Sequence, residues 1–177
     1  MSAMKHLFRR PLILAGVAAL IAAGCIVSGQ FVILINWGGI VSTNTQLNAE
    51  TVDLTEDETW QDHQEDIQKI VDVKFETTVK NNAGSVATGQ LYVSDQDGLT
   101  YGQLAGQATL ILSGIEIPAG DSVMISFTES AQYQQNLQTL LDLAETGLFY
   151  LYGVAENTPF NIEIKQGSRI LVTFAAG

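Results

Sequence analysis

Between Ile70 and Val79 the side chains change character at every step. Ile70, Asp72, Lys74, Glu76 and Thr78 interleave with Val71, Val73, Phe75, Thr77 and Val79. A repeat of two is the repeat of a strand, whose side chains point to opposite faces, and it does not suit a helix. One face of such a strand is wet and the other needs a cover. The chain must therefore supply further strands and a second layer.

Those strands are legible on both sides. Asn81-Asn82-Ala83-Gly84 is a turn, because Asn and Gly accept positive φ at low cost, and Val86–Val93 is expected to return as the partner strand. Ser94-Asp95-Gln96-Asp97-Gly98 is a second turn cluster, and Leu99 to Gln107 is polar and Gly-rich. Ala108–Leu112 and Ile115–Ile117 form a strand interrupted at Ser113-Gly114. Pro118-Ala119-Gly120-Asp121 then turns into Ser122–Phe127, with Val123, Ile125 and Phe127 inward. Leu148–Val154, Phe160–Lys165 and Ile170–Phe174 close the chain, while Gln30–Trp37 reads as an early strand buried on both faces. Ala49–Leu54 is a short strand.

Two helical stretches interrupt this pattern. Thr55 and Glu58 have the spacing of a capping box ahead of an acidic helix, Glu56–Asp66, whose inward residues are Trp60 and Ile67. After Ser130, Tyr133, Leu137, Leu140, Leu141 and Ala144 share a helical face, and Gly147 stands where a left-handed cap belongs. A parallel α/β sheet needs a helix between successive strands, so two helices are too few. The expected fold is mainly β: an antiparallel β-sandwich, immunoglobulin-like, with two short helices.

Two segments carry a family resemblance. VDVKFETTVKNN at 71–82, with its returning strand, resembles the strand-turn-strand of bacterial immunoglobulin-like and late-embryogenesis-abundant-like sandwich domains. IEIPAGDSVMISF at 115–127 is similar to a hairpin of the same domains. The resemblance implies an extracytoplasmic binding or spacer module without catalytic residues.

The N-terminus says where such a module lives. Lys5, His6, Arg9 and Arg10 precede the apolar run Pro11–Ile21, and Ala22, Ala23 and Gly24 supply small residues before Cys25. This is the layout of a secretory signal. A cysteine directly after the small residues resembles the lipobox of bacterial lipoproteins, which implies lipidation at Cys25. Ile26 after it is similar to lipoproteins sent to the outer membrane. The expected organisation is a signal peptide over 1–24 and one lipid-anchored domain over 25–177, with the membrane as partner through the N-terminal lipid. Cleavage without acylation, or retention of residues 11–27 as an anchor, are the alternatives.

Removing residues 1–24 from 177 leaves 153, a common single-domain size. Lys5, Arg9 and Arg10 leave with the signal, so five Lys or Arg stand against 19 Asp or Glu, a net charge of −14. Such a surface repels polyphosphate, and nucleic acid is excluded as a partner.

Little in the remaining chain points to chemistry. His63 is the single histidine of the mature chain, sits in the acidic helix and is expected to face solvent; no Gly-x-Ser-x-Gly elbow is present. Asp95 and Asp97, followed by Gly98, match a fragment of a calcium loop, but the downstream bidentate Glu is missing. Calcium there needs Glu116 or Asp121 from elsewhere, and a plain Asp-Gly turn accounts for the same residues. Asp62, Glu65 and Asp66 around His63 offer a weaker divalent patch. Trp37, Trp60, Tyr92, Tyr101, Tyr133, Tyr150 and Tyr152 are aromatics that could line a sugar or peptide site. Tyr150 and Tyr152 share a strand face, so they are either a ligand platform or core. The expected function is a non-catalytic envelope module with an envelope protein or glycan as partner and no cofactor. A calcium- or glycan-dependent recognition domain, and a hydrolase built on an unrecognised carboxylate pair, are the alternatives.

Overall fold

The computed structural model describes residues 29–43, 47–155 and 161–177. The expected signal segment, residues 1–24, and Cys25 lie outside them. Ten strands are β1 (Gly29–Trp37), β2 (Ile40–Thr43), β3 (Leu47–Asp53), β4 (Ile67–Asn81), β5 (Ala87–Ser94), β6 (Thr109–Ile117), β7 (Ser122–Ile125), β8 (Leu148–Ala155), β9 (Asn161–Ile164) and β10 (Ser168–Ala176). Four short helices are α1 (Glu58–His63), α2 (Tyr101–Gln107), α3 (Phe127–Tyr133) and α4 (Leu137–Glu145). The fold is mainly β, with two antiparallel sheets arranged as a sandwich. One sheet runs β1-β10-β4-β9-β2, with β7 also on β4, and the other runs β3-β8-β5-β6. Among the described residues no helix is long and apolar enough to cross a membrane.

β4 is the long strand that the alternation foretells, with one adjustment. Opposite β10, Thr173 pairs with Asp72 and Phe174 with Ile70, so Val71 is an extra residue in the ladder. Such a bulge resets the alternation. It lets Ile70 and Val73 both point inward, where the sequence had grouped Ile70 with the polar face. β6 uses the same device. Leu91 faces Leu112 while Gly89 faces Ile115, and Gly114 takes φ +80° inside an otherwise continuous strand. The expected interruption at Ser113-Gly114 is this bulge.

The largest departure is in connectivity. β5 was expected to pair with β4, and β7 with β6, but each pair is split between the two sheets. Asn81 accounts for the split. Its side chain is fully buried, its Nδ2 donates to the carbonyls of Ser85 (2.7 Å) and Ile117 (3.1 Å), and its Oδ1 accepts from the Ala83 amide (2.9 Å). The two turns also bind each other, through Asn81 N to Asp121 O at 2.9 Å and Gly120 N to Ala83 O at 3.2 Å. A buried amide whose partners lie on both crossings holds the chain to an arch where a hairpin would leave it unpaired.

β1 is an edge strand, not the doubly buried one expected. Among the described residues it pairs with β10 alone; Ile33 is core, while Val32 and Leu34 are each 47% exposed. Helix boundaries differ as well. Asp57, not Thr55, caps α1, accepting the Thr59 amide at 2.8 Å, and Asp53 caps the preceding 3-10 turn Leu54–Glu56. The helix expected from Ser130 to Glu145 is two, broken at Asn136 with φ +48°. The break anchors the chain to both sheets: Gln134 Nε2 donates to Val73 O (2.6 Å), Gln135 N to Ile111 O (2.8 Å) and Asn136 Nδ2 to Leu110 O (2.9 Å). α2 was not expected; the Gln103 carboxamide caps it by accepting from the Thr100 amide (2.9 Å) and hydroxyl (2.6 Å).

Gly147 does end α4 in the left-handed region, at φ +83°. A Cβ there would stand 2.8 Å from Thr55 Cγ2 and 3.0 Å from Trp60 Cζ2. The glycine therefore serves packing as well as φ. One main core lies between the sheets, around Phe75, Phe149, Leu151, Ile170 and Phe174. A smaller one, around Leu99, Leu104, Tyr152 and Val154, lies on the outer face of β8 beneath α2.

Candidate functional site: a hollow between the sheets

The inner faces of the sheets are not filled evenly. Ile33, Phe149, Ile170 and Phe174 close the end near α1 and α4. Toward the other end the inner face of β5 and β8 carries small residues: Gly89 faces Ala155, and Leu91 faces Gly153. A Cβ placed on Gly89 would meet nothing within 4 Å, and one on Gly153 only Asn48 O at 4.0 Å. Sheets pack about 10 Å apart whatever their side chains are, so missing side chains leave space.

The result is a hollow of about 130 Å³, partly open to solvent. Phe75, Thr77 and Val79 of β4, Ile125 of β7 and Ile162 and Ile164 of β9 form one wall. Leu91, Leu112, Ile115, Ile117 and Leu151 form the other, and Trp37, Ser130 and Tyr133 complete the lining. Asn48 and Glu50 of the edge strand β3 bring polarity, and Glu50 is the single charged group in the lining among the described residues.

The hydroxyls of Thr77 and Ser130 in the lining are committed. Ser168 Oγ donates to Lys165 O at 2.9 Å, so Thr77 Oγ1, 3.0 Å away, donates to Ser168. Ser130 Oγ donates to Phe127 O (2.9 Å) and accepts the Phe75 amide (3.2 Å). Trp37 differs. Its ring meets Phe75 edge-on at 6.3 Å, and its Nε1 is buried without a hydrogen-bond partner, the only such side-chain atom among the described residues. An unmade hydrogen bond at a buried donor costs free energy. A shallower, polar depression lies at the opposite end, lined by Trp60, Gln64, Ile67, Gln68, Lys69 and Glu145. It is the roomier of the two at about 210 Å³, but it is more open, and Glu145 is already engaged with the Ile70 amide at 3.1 Å.

The residues singled out from the sequence fall in several places. Asp95 and Asp97 are exposed in the turn after β5, and Asp97 Oδ1 accepts the Gly98 amide at 2.6 Å. Among the described residues no three His, Cys, Asp or Glu side chains cluster closely enough to hold a metal ion. Tyr152 is fully buried, donates to Gln96 O at 2.5 Å and accepts the Leu99 amide at 3.3 Å, which is core packing. Tyr150 is half-buried against the same small core. His63 does not face solvent freely: its ring lies 3.7 Å from that of Phe31 and 6.2 Å from that of Phe174. Of the seven aromatics considered, Trp37 and Tyr133 meet at the hollow. Sequence reading missed Gly89 and Gly153, whose one signal was glycine inside a strand.

No family model matches this chain. No curated protein matches it either.

Proposed function

We propose that this chain is a non-catalytic lipoprotein of the cell envelope, held by an acyl group on Cys25, whose sandwich binds a small ligand in the hollow. The observation that carries the binding reading is the partly open apolar space between the sheets. Concave, mostly apolar sites with few polar groups are the common form of small-molecule pockets. The envelope reading is supported by the basic start, the apolar run and the small residues before Cys25, and Ile26 favours the outer membrane. An immunoglobulin-like affiliation is supported by the arches at Asn81 and Pro118, since the sheets of such sandwiches also exchange strands. β1 beside the last strand, and the four helices, are additions to that plan.

Metabolic labelling with palmitate tests the anchor. The label should enter the wild-type chain, disappear in Cys25→Ala, and accompany the protein into the membrane fraction. Label that persists in Cys25→Ala refutes acylation at this residue.

A further inference from the structure

A sheet edge is a row of unpaired N–H and C=O groups, and folded proteins guard such rows against other chains. The edges of this sandwich are guarded unequally. β2 and β7 are only four residues long. β3 carries Glu50 and Asp53, and β6 carries Glu116 beside its bulge. The stretch of β4 beyond the reach of β9 is covered by side chains: Glu145, Gln134 and Ser130 bond to the backbone of Ile70, Val73 and Phe75. β1 has none of these guards. It is nine residues long, holds no charge and no proline, and keeps one register with β10 from Gly29 opposite Ala176 to Trp37 opposite Ser168. Among the described residues no strand pairs with its other side. Val32 and Leu34 stand half-exposed on its outer face.

The pattern of β1 is the same in both directions. About Ile33, Val32 mirrors Leu34, Phe31 mirrors Ile35 and Gln30 mirrors Asn36. A second copy laid antiparallel, with Ile33 opposite Ile33, sets apolar against apolar and amide against amide at each of these places. A two-fold interface requires this self-complementarity.

Charge points the same way. A net charge of −11 opposes most contacts between copies, yet β1 is neutral, and the charges on the outer face nearby are paired, Arg169 with Glu76 and Lys74 with Asp72. The acids crowd one end instead. α1, which carries Glu58 and Asp62, lies at the start of β1, with the His63 ring 3.7 Å from that of Phe31. A parallel partner would bring two such helices together, whereas an antiparallel one sets each beside the other copy's Trp37.

We propose that β1 pairs antiparallel with β1 of a second copy, so that one sheet runs through a two-fold dimer. Val32 of each copy then packs on Leu34 of the other. Nine residues a side are fewer than the roughly 20–30 of a standard interface, so the dimer is reversible. The pairing depends on neither the hollow nor the lipid.

Sedimentation equilibrium of the full chain in density-matched detergent reads the mass of the protein alone. Wild type should shift from monomer to dimer as its concentration rises. Val32→Lys with Leu34→Lys sets like charges opposite each other and should weaken the dimer about tenfold or more, as should Val32→Glu with Leu34→Glu. An equimolar mixture of the two double variants should dimerise again, because each Lys then faces a Glu, and that recovery separates lost pairing from lost structure. Gln30→Cys mixed with Asn36→Cys, both in chains carrying Cys25→Ala, should form a disulfide-linked dimer on mild oxidation, and Gln30→Cys alone should not. Four results overturn the pairing: wild type that stays monomeric up to millimolar concentration, a dimer undiminished in the lysine variant, charge variants that ignore each other on mixing, or Gln30→Cys that links to itself.

Discussion

Asn81 is the residue whose removal should hurt this fold most for its size. Its carboxamide makes three hydrogen bonds, to Ser85 O, Ile117 O and the Ala83 amide, from a fully buried position. Each is worth about 1 kcal/mol net, and truncation to alanine also leaves a small void. Asn81→Ala should therefore cost about 3–4 kcal/mol, a large part of the roughly 5–15 kcal/mol that holds a domain together. At about 2–4 °C per kcal/mol for a chain of this size, the midpoint of thermal unfolding should fall by about 6–16 °C. Asn81→Asp is the sharper probe. It keeps the acceptor for Ala83 but turns both donors into lone pairs aimed at carbonyl oxygens. Burial and those carbonyls raise the pKa of the introduced carboxyl in the folded state above its unfolded value of about 3.9. The folded state then holds the proton more tightly, so stability rises as pH falls through the raised value and is lowest at neutral pH. Calorimetry between pH 4 and pH 7 reads both effects, using about that range to span the titration. A midpoint for Asn81→Ala within about 2 °C of wild type, or an Asn81→Asp deficit that does not shrink on acidification, would refute Asn81 as the fastening of the two arches.

Two other perturbations follow from single contacts. Gly147→Ala places a methyl 2.8 Å from Thr55 Cγ2 in a left-handed backbone, which should cost about 1–3 kcal/mol. Thr55→Ser removes Cγ2, keeps the hydroxyl bonded to Asp53 and should recover part of that loss; additive losses in a denaturant double-mutant cycle would count against the clash. The carboxyl of Glu129 is held below its ordinary value by the Ser126 amide, with help from the Ser126 hydroxyl. A depressed folded pKa gives stability that is present above the unfolded value, about 4.3, and is lost as pH falls through the lower folded one. Glu129→Gln should flatten that part of the acid limb, and NMR titration of Glu129 at or above the ordinary value would contradict the cap.

The sequence showed strands better than it showed neighbours. Period two and turn residues placed β4, β5, β6, β8 and β10 correctly, because alternation is a local consequence of one covered face. Which strands pair is not local. Asn81-Asn82-Ala83-Gly84 reads the same whether the chain folds back in its own sheet or crosses to the other, and only the partners of the Asn81 side chain decide. The bulge at Val71 is equally silent, since it shifts the register by one residue without altering composition, whereas glycine at 114 showed its bulge as a break in the strand. β1 looked buried because Val32 and Leu34 are apolar, yet a strand at a sheet edge exposes whatever it carries. The aromatics were visible as candidates, but their fates differ through tertiary placement: Tyr152 is covered by α2, whereas Trp37 reaches an unfilled space.

That unfilled space also has a direction. β1 starts at Gly29, four residues after Cys25, and ends at Trp37 in the wall of the hollow. At about 3.3 Å per residue its length is about 26 Å, so the hollow lies at the opposite end of the sandwich from Gly29. At the near end the packing of Trp60 and Thr55 leaves no room for a methyl group on residue 147, and the depression beside Trp60 is polar and open. The far end keeps Gly89 and Gly153 at inward positions where one β-branched residue would add buried contacts and strand propensity. Cavity filling of this kind is an easy route to stability in most proteins. If the hollow binds a ligand as proposed, Gly89→Leu, which fills it, should gain stability and lose binding together, setting the two demands directly against each other.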